Sequence, residues 1–538
     1  MSSSLKTTPL PSVFPPFSFY DSVVPWIIAL GFLAIYLVVP LTQDVTWLVY
    51  CAQKWLAGGT PFSVDFEELN PPFNVALYLP LAWLVNHSPF PAGPTVSAGV
   101  WGIMLMFYLG IRHLLNVQTH HNPPLENDRA HRILTMVAVA LFLVPLAQIG
   151  QREQFILAFT LPYLLAAAGR ADGQRLPLKT QVFLGLLAGL GFIIKPYALI
   201  VPLLVEGVIA QKQRRFLALF NPTSLAIGAV CVVYGVWIVV AFPAYISFYV
   251  PLVTEAYPSF GWHADRLMLI LFPLITVVAA MGYGILQAIR QNTFRPHHHV
   301  WIAACVGFAL LVLMQGKLFF YHAYPFLGVA FVCLATLENI PLRYGLLTFF
   351  LIAAFTVTHT SFINYFRWQR FTNQVGEHLK TETAVRPMMM LSPHYGFLPV
   401  SLLDKNDPMI YASRYQVTWF ALWMMDFDKN PTQHTPKTLG YKTHFLNVMG
   451  EDIRHYQPQI VFLDRNKGAA LLETLTKNPD FQTEWQKFVP LPVNLGPFAD
   501  IFQVFIRKDF ADPTAVKKAI ETAAKEAQPT PTPEAIPE

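Results

Sequence analysis

The feature that most constrains this chain is a succession of apolar runs of near-bilayer length across its first 360 residues. A bilayer core is about 30 Å thick, and about 20 apolar helical residues cross it. Runs at roughly 23–42, 95–111, 132–149, 154–169, 180–193, 196–210, 217–241, 266–289, 299–315, 318–337 and 343–361 suit that task. The fold class expected is a polytopic α-helical membrane protein with about eleven transmembrane helices. Several runs are short, which points to broken or tilted helices around a cavity. Composition agrees, with 54% hydrophobic and 13% charged residues against about 25% charged in soluble domains. The net charge of +5 is small for 538 residues and gives no reason to expect a nucleic-acid partner.

The remainder divides by composition. Residues 1–22 read as a cytoplasmic N-terminal segment, with the first apolar run a retained anchor. Residues 23–361 read as the membrane domain, with a long outer loop at 42–95. Residues 362–512 read as a small extracytoplasmic α/β domain. Its strands are expected at PMMMLSP, PMIYAS, PQIVFLD and IFQVFI, and its helices at YKTHFLNVMGEDIRHY and GAALLETLTKN. Residues 513–538 read as a Pro-rich disordered tail. The cysteines Cys51, Cys231, Cys305 and Cys333 all precede the soluble region, so no disulfide framework is available there.

Basic residues orient membrane proteins. Clusters fall at Arg112/Arg129/Arg132, Arg170/Arg175/Lys179, Lys212/Arg214/Arg215 and Arg290/Arg295. All four share the inner side if the first run crosses outward and Asn70–Val85, with prolines at 71, 72 and 80, lies on the outer surface. The outer face then collects the ionisable groups that lie in or beside spans, which are costly there and hence functional candidates. These are Asp44 after the first run, Arg152 and Glu153 in IGQREQF, and Lys195 before the helix-breaking Pro196. His263 and Asp265 in PSFGWHADR and Lys317, Tyr321 and His322 in MQGKLFFYHAYPF complete the set.

Other polar groups have plainer readings. His297–His299 lie beside Arg295 and read as a basic inner loop sooner than a metal cluster; Glu67 and Glu68 read as a solvated loop or, second to that, as another carboxylate pair. Trp47, Leu48, Cys51 and Trp55 recur at helical spacing. That stripe either rests on the membrane with Lys54 near the headgroups or packs against the spans.

The first span, the long loop with an early Asp44, the NPPF segment at Asn70–Phe73, and the outer GQREQ, KP and GKLFFYH segments together resemble the GT-C superfamily of membrane glycosyltransferases. The likeness is to the branch of bacterial protein O-mannosyltransferases and the lipid A aminoarabinose transferase, over about residues 20–360. The sequence departs from that pattern in having Gln43 and Val45 about a single Asp44, and Asn70 before the two prolines. The resemblance implies a polyprenyl-phosphate-sugar donor and an envelope glycan, lipid or protein acceptor. It also implies a place in the cytoplasmic (inner) membrane with the active site outside.

Such a donor already carries a good leaving group. It needs a base for the acceptor hydroxyl and cations for the departing phosphate, rather than the paired carboxylates of glycoside hydrolysis. Asp44 is the expected base, and Arg152, Lys195 and Lys317 the expected phosphate ligands. Glu153, His263, Asp265, Tyr321 and His322 are expected to orient sugar or acceptor. A divalent cation, Mg or Mn, is compatible with the carboxylates Asp44, Glu67, Glu68, Glu153 and Asp265, though their spacing is no metal signature. A transporter with a broken-helix site, a polyprenyl-diphosphate-dependent polymerase or ligase, and a non-catalytic scaffold remain open at this point.

Overall fold

The computed structural model describes residues 19–119, 127–145, 148–256, 264–316, 319–337, 387–392, 410–416, 435–496, 499–510 and 512–526, with short pieces between 367 and 425. Helices occupy ten of the eleven positions expected for spans; the eleventh, 343–361, lies outside the described residues. Among the described residues four helices reach spanning length and hydropathy on their own: Ala92–Gln118, Arg152–Ala171, Pro222–Ala241 and Pro296–Gln315. One further pair, Val23–Val38 with Gln43–Leu56, is bent by 77°, and three more apolar helices are shorter, so this is a helical membrane protein.

Helix α1 (Phe19–Val38) ends two residues before Pro40, and α2 (Gln43–Leu56) leaves it bent by 77°. Thr42 caps α2 by accepting from Val45 N–H (3.4 Å). The stripe on α2 is settled: Trp47, Leu48 and Cys51 are buried in protein, and Lys54 Nζ donates to Asp65 O (2.7 Å), so the helix does not present that face to lipid. The NPPF segment gives two short helices, α3 (Phe73–Ala76) and α4 (Leu79–His87). Nine residues reach about 13 Å, far less than a bilayer, so α4 cannot cross alone. It packs on α2 and exposes Trp83 instead.

Then come α5 (Ala92–Thr119), α6 (Asn127–Ala138, continued by a π-helical turn to Leu143), α7 (Arg152–Ala171) and α8 (Leu178–Ile194). Pro196 stops α8 as expected, and the chain restarts through a 3₁₀ turn into α9 (Ile200–Gln213). Next are α10 (Pro222–Ala241), α11 (Val250–Ala256), α12 (Ala264–Arg290), α13 (Pro296–Gln315) and α14 (Tyr324–Thr336). Helix α10 exposes Val232, Val233, Val236, Val239 and Val240, an apolar face suited to lipid rather than water.

The C-terminal region forms, among its described residues, a five-stranded sheet in the order β2-β1-β3-β5-β4. Its strands are β1 (Pro387–Leu391), β2 (Ile410–Tyr411), β3 (Ile460–Asp464), β4 (Phe488–Pro490) and β5 (Phe502–Arg507). β1 runs parallel to both β2 and β3, while β5 is antiparallel to β3 and β4. Helices α15 (Pro436–Tyr456), α16 (Gly468–Leu475) and α17 (Pro479–Trp485) accompany it. The expected disordered tail needs correction: Pro513–Glu526 is helix α18, burying Val516, Ala519, Ile520, Ala523 and Ala524. Those residues recur at helical spacing, and their burial outweighs the prolines further on.

Candidate functional site

Contacts between helix ends sort the membrane domain into two faces. On one, Lys195 Nζ, at the break between α8 and α9, meets both Glu153 Oε1 at the start of α7 and Gln315 Oε1 at the end of α13. His322 Nε2 lies 3.9 Å from the same Glu153 oxygen. On the other face Arg129 meets His297, and His297 Nδ1 lies 2.7 Å from Asp172 Oδ2. Arg170 pairs with Glu206 there (2.6 Å). The basic ends of α6, α7 and α9 and the basic start of α13 thus lie opposite Lys195, as the charge pattern anticipated. The expected basic loop needs correction: His297–His299 form the first turn of α13, and His297 and His298 are buried.

The turn before α7 builds the other end. Gly150 sits at φ +79°, a conformation that favours glycine, and Tyr78 OH donates to its carbonyl. Gly150 N–H donates to Gln154 Oε1 (2.8 Å), whose amide Nε2 donates to Leu141 O (2.9 Å). Gln151 Nε2 donates to Thr42 Oγ1 (3.0 Å), which ties this turn to the cap of α2. Asp44 stands in the first turn of that helix. Gln416 Nε2, from the soluble domain, donates to Asp44 Oδ1 (3.2 Å).

Arg152 is the group around which the charges gather. Glu153, Asp44, Tyr321 and Glu68, in that order, act electrostatically on its guanidinium. The residue is only 7% exposed, yet among the described residues its Nε and Nη1 have no hydrogen-bond partner. Buried N–H groups are normally satisfied, and a buried orphan calls for an explanation. Neighbouring orphans are Gln151 Oε1, Glu153 Oε2, Thr46 Oγ1 on α2 and Asn74 Oδ1 on α3. The elements that frame Asp44 and Arg152 thus hold unmet hydrogen-bonding capacity among the described residues.

Glu67 and Glu68 are both 4% exposed, which corrects the solvated-loop reading. Glu68 accepts from Trp47 Nε1 (2.6 Å) and from Asn70 N–H (2.8 Å), fixing the NPPF segment against α2. Glu67 joins the loop to the soluble domain, with Tyr415 OH as donor and His444 Nε2 at 3.2 Å. Burial pushes the Glu67 carboxyl up, but the His444 bond and charge and the Tyr415 and Tyr249 hydroxyls outweigh it and hold the group below its ordinary value.

The structure thus brings Lys195 and His322 onto Glu153, next in the chain to Arg152, with Asp44 and Tyr321 among the groups acting on the Arg152 guanidinium. His263 and Lys317 lie outside the described residues; Asp265 begins α12, with its side chain undescribed. Sequence reasoning missed Gln315, Gln416 and Tyr78, whose neutral side chains carry no charge signal. Among the described residues no three His, Cys, Asp or Glu side chains are arranged to hold a metal ion.

No family model matches the chain, and no curated protein does. Among solved structures it is similar to the apo form of the Archaeoglobus fulgidus oligosaccharyltransferase, with a TM-score of 0.41 and 12% identity over 88% of this chain and 73% of that one. A likeness that loose carries no argument here.

Proposed function

We propose that this chain is an integral membrane glycosyltransferase. It moves a sugar from a polyprenyl-phosphate donor to a hydroxyl acceptor on the extracytoplasmic side. The observation that carries the reading is the Arg152 guanidinium, buried at a helix start, without a partner for Nε and Nη1 among the described residues, and with Asp44 among the charges acting on it. A guanidinium with unused N–H groups suits a phosphate oxygen, and a nearby carboxylate suits proton removal from a hydroxyl.

In the proposed step Asp44 takes the acceptor hydroxyl proton. The acceptor oxygen forms its bond to the anomeric carbon as the bond from that carbon to the phosphate oxygen breaks. The electron pair leaves with the lipid phosphate, whose growing charge Arg152 stabilises. One displacement inverts the anomeric centre. Lys195 is bonded to Glu153 and Gln315, so its first role is to hold the α7 start; its charge then adds to the field at the phosphate. Lys317 remains a proposed second phosphate ligand. Glu153, His263, Asp265, Tyr321 and His322 are proposed to orient sugar or acceptor. Gln416 would let the soluble domain sense Asp44.

The test is turnover by purified protein in vesicles supplied with a polyprenyl-phosphate sugar and a hydroxyl acceptor. Consumption of the lipid sugar with release of lipid phosphate is the expected result. Solute uptake without such consumption would replace this reading with a transporter.

A further inference from the structure

Helix α7 carries an arginine near each end. Arg152 and Arg170 are eighteen residues apart, about 27 Å along a helix, so the second lies at the membrane face opposite the proposed site. There Glu206 accepts from Arg170 (2.6 Å), from Tyr163 OH (3.0 Å) and, through its other oxygen, from Asn221 Nδ2 (2.8 Å). Its carboxylate is committed to holding Arg170 and the start of α10 together.

Beside this anchor is a cavity of about 510 Å³ lined by Arg170, Arg175, Gln181, Gln213, Arg215 and Thr223, among others. Three arginines against the single Glu206 carboxylate leave two positive charges. Arg175 and Arg215 are exposed, and neither side chain has an ion pair among the described residues. Thr223 and the two glutamines add neutral hydrogen-bonding groups. Two cations with neutral donors around them suit a phosphate group better than a sugar or an apolar molecule.

The surroundings say what carries that phosphate. The 3₁₀ turn Phe216–Phe220, directly after Arg215, exposes Phe216, Leu217 and Phe220 at 73%, 80% and 57%. On the other side, the start of α8 exposes Leu178 and Phe183. Cations in a cavity flanked by outward apolar side chains define an interfacial site, with the head held by charge and the tails lying along the apolar surface.

We propose that this cavity binds the phosphate headgroup of an anionic phospholipid in the leaflet opposite the glycosyl-transfer site. Arg175 and Arg215 are its ligands, and Arg170 is fixed by Glu206 as its floor. The bound lipid would brace the loop between α7 and α8 against the start of α10. The proposal needs only the membrane placement, not the chemistry at Asp44.

The test uses the full chain in nanodiscs of mixed phosphatidylglycerol and phosphatidylcholine, followed by extraction and quantification of co-purified lipid. Wild type is expected to retain phosphatidylglycerol preferentially. Arg175→Ala/Arg215→Ala is expected to lose that preference by about 25-fold, at about fivefold per arginine. Both side chains are exposed, so unchanged thermal stability in pure phosphatidylcholine discs would show the variant folded. Should the double variant fail to fold, Arg175→Gln and Arg215→Gln singly are each expected to show the fivefold loss. Equal retention of the two lipids, or retention unaffected by the substitutions, overturns the proposal. So does displacement of the lipid by millimolar inorganic phosphate, because the site would then serve free anions.

Discussion

The Lys195–Glu153 contact permits a sharp energetic test, because Lys195 is 8% exposed and the Glu153 side chain is fully buried. Lys195→Met removes the ammonium that meets the buried Glu153 carboxylate, and Glu153→Gln removes the carboxylate that meets the buried Lys195 ammonium. Removing one member of a buried pair costs about 3–5 kcal/mol, whereas replacing both by uncharged groups of similar volume is often close to neutral. The double variant also gives up the bond to Gln315, worth about 1 kcal/mol. The expected pattern is two strongly destabilised single variants and a double variant within about 1–2 kcal/mol of wild type. Their coupling then exceeds about 3 kcal/mol, well beyond the scatter of independent sites. Denaturant unfolding in detergent, followed by tryptophan fluorescence, reads all four proteins. Single variants that each cost under about 1 kcal/mol, or a double variant equal to their sum, would refute the convergence of the α7 start with the break after α8.

Arg152→Ala should lower turnover by about 100-fold or more, the scale of losing one preorganised donor to developing charge, and should cost stability as well, because it removes a buried cation from beside Glu153; Arg152→Lys, which keeps the charge without the planar donor set, separates the two effects when steady-state turnover is read alongside unfolding. Glu67 makes docking of the soluble domain sensitive to acid. Its folded pKa lies below the ordinary 4.5, so its contribution is complete above that pH and is lost as the pH falls through the lower folded value. Glu67→Gln should flatten that acid-side loss of apparent stability, measured by thermal unfolding between neutral pH and pH 3. Truncation after residue 512 removes buried Val516 and Ile520, and at about 1.5–3 kcal/mol per buried aliphatic side chain it should destabilise the soluble domain by about 3–6 kcal/mol in urea titration.

The membrane domain was legible because apolar runs and basic loops report two strong physical constraints, the bilayer's thickness and its charge asymmetry. Lys195-Pro196 was legible for the same reason: a lysine amid an apolar run must find a partner, and proline must end the helix. The partner was not legible, because Glu153 is 42 residues away and Gln315 is 120. Four of the five described strands could be read from their apolar runs. The fifth, Phe488–Pro490, is a three-residue edge strand with too little pattern to see. Glu67 and Glu68 were misread because an acid in a loop is ordinarily solvated. Their burial depends on Trp47, Tyr415 and His444, which reach them from other elements. Helix α18 was overlooked because the prolines beyond residue 528 coloured the reading of the whole end of the chain.

The central claim is that Asp44 removes the acceptor proton. The most direct measurement compares wild type, Asp44→Asn and Asp44→Glu for consumption of a polyprenyl-phosphate sugar by the purified protein in vesicles. The account predicts a loss of about 100- to 10,000-fold in Asp44→Asn, the range of a missing general base. It also predicts unchanged donor binding and partial recovery in Asp44→Glu, which restores a carboxylate. Full turnover by folded Asp44→Asn would contradict it.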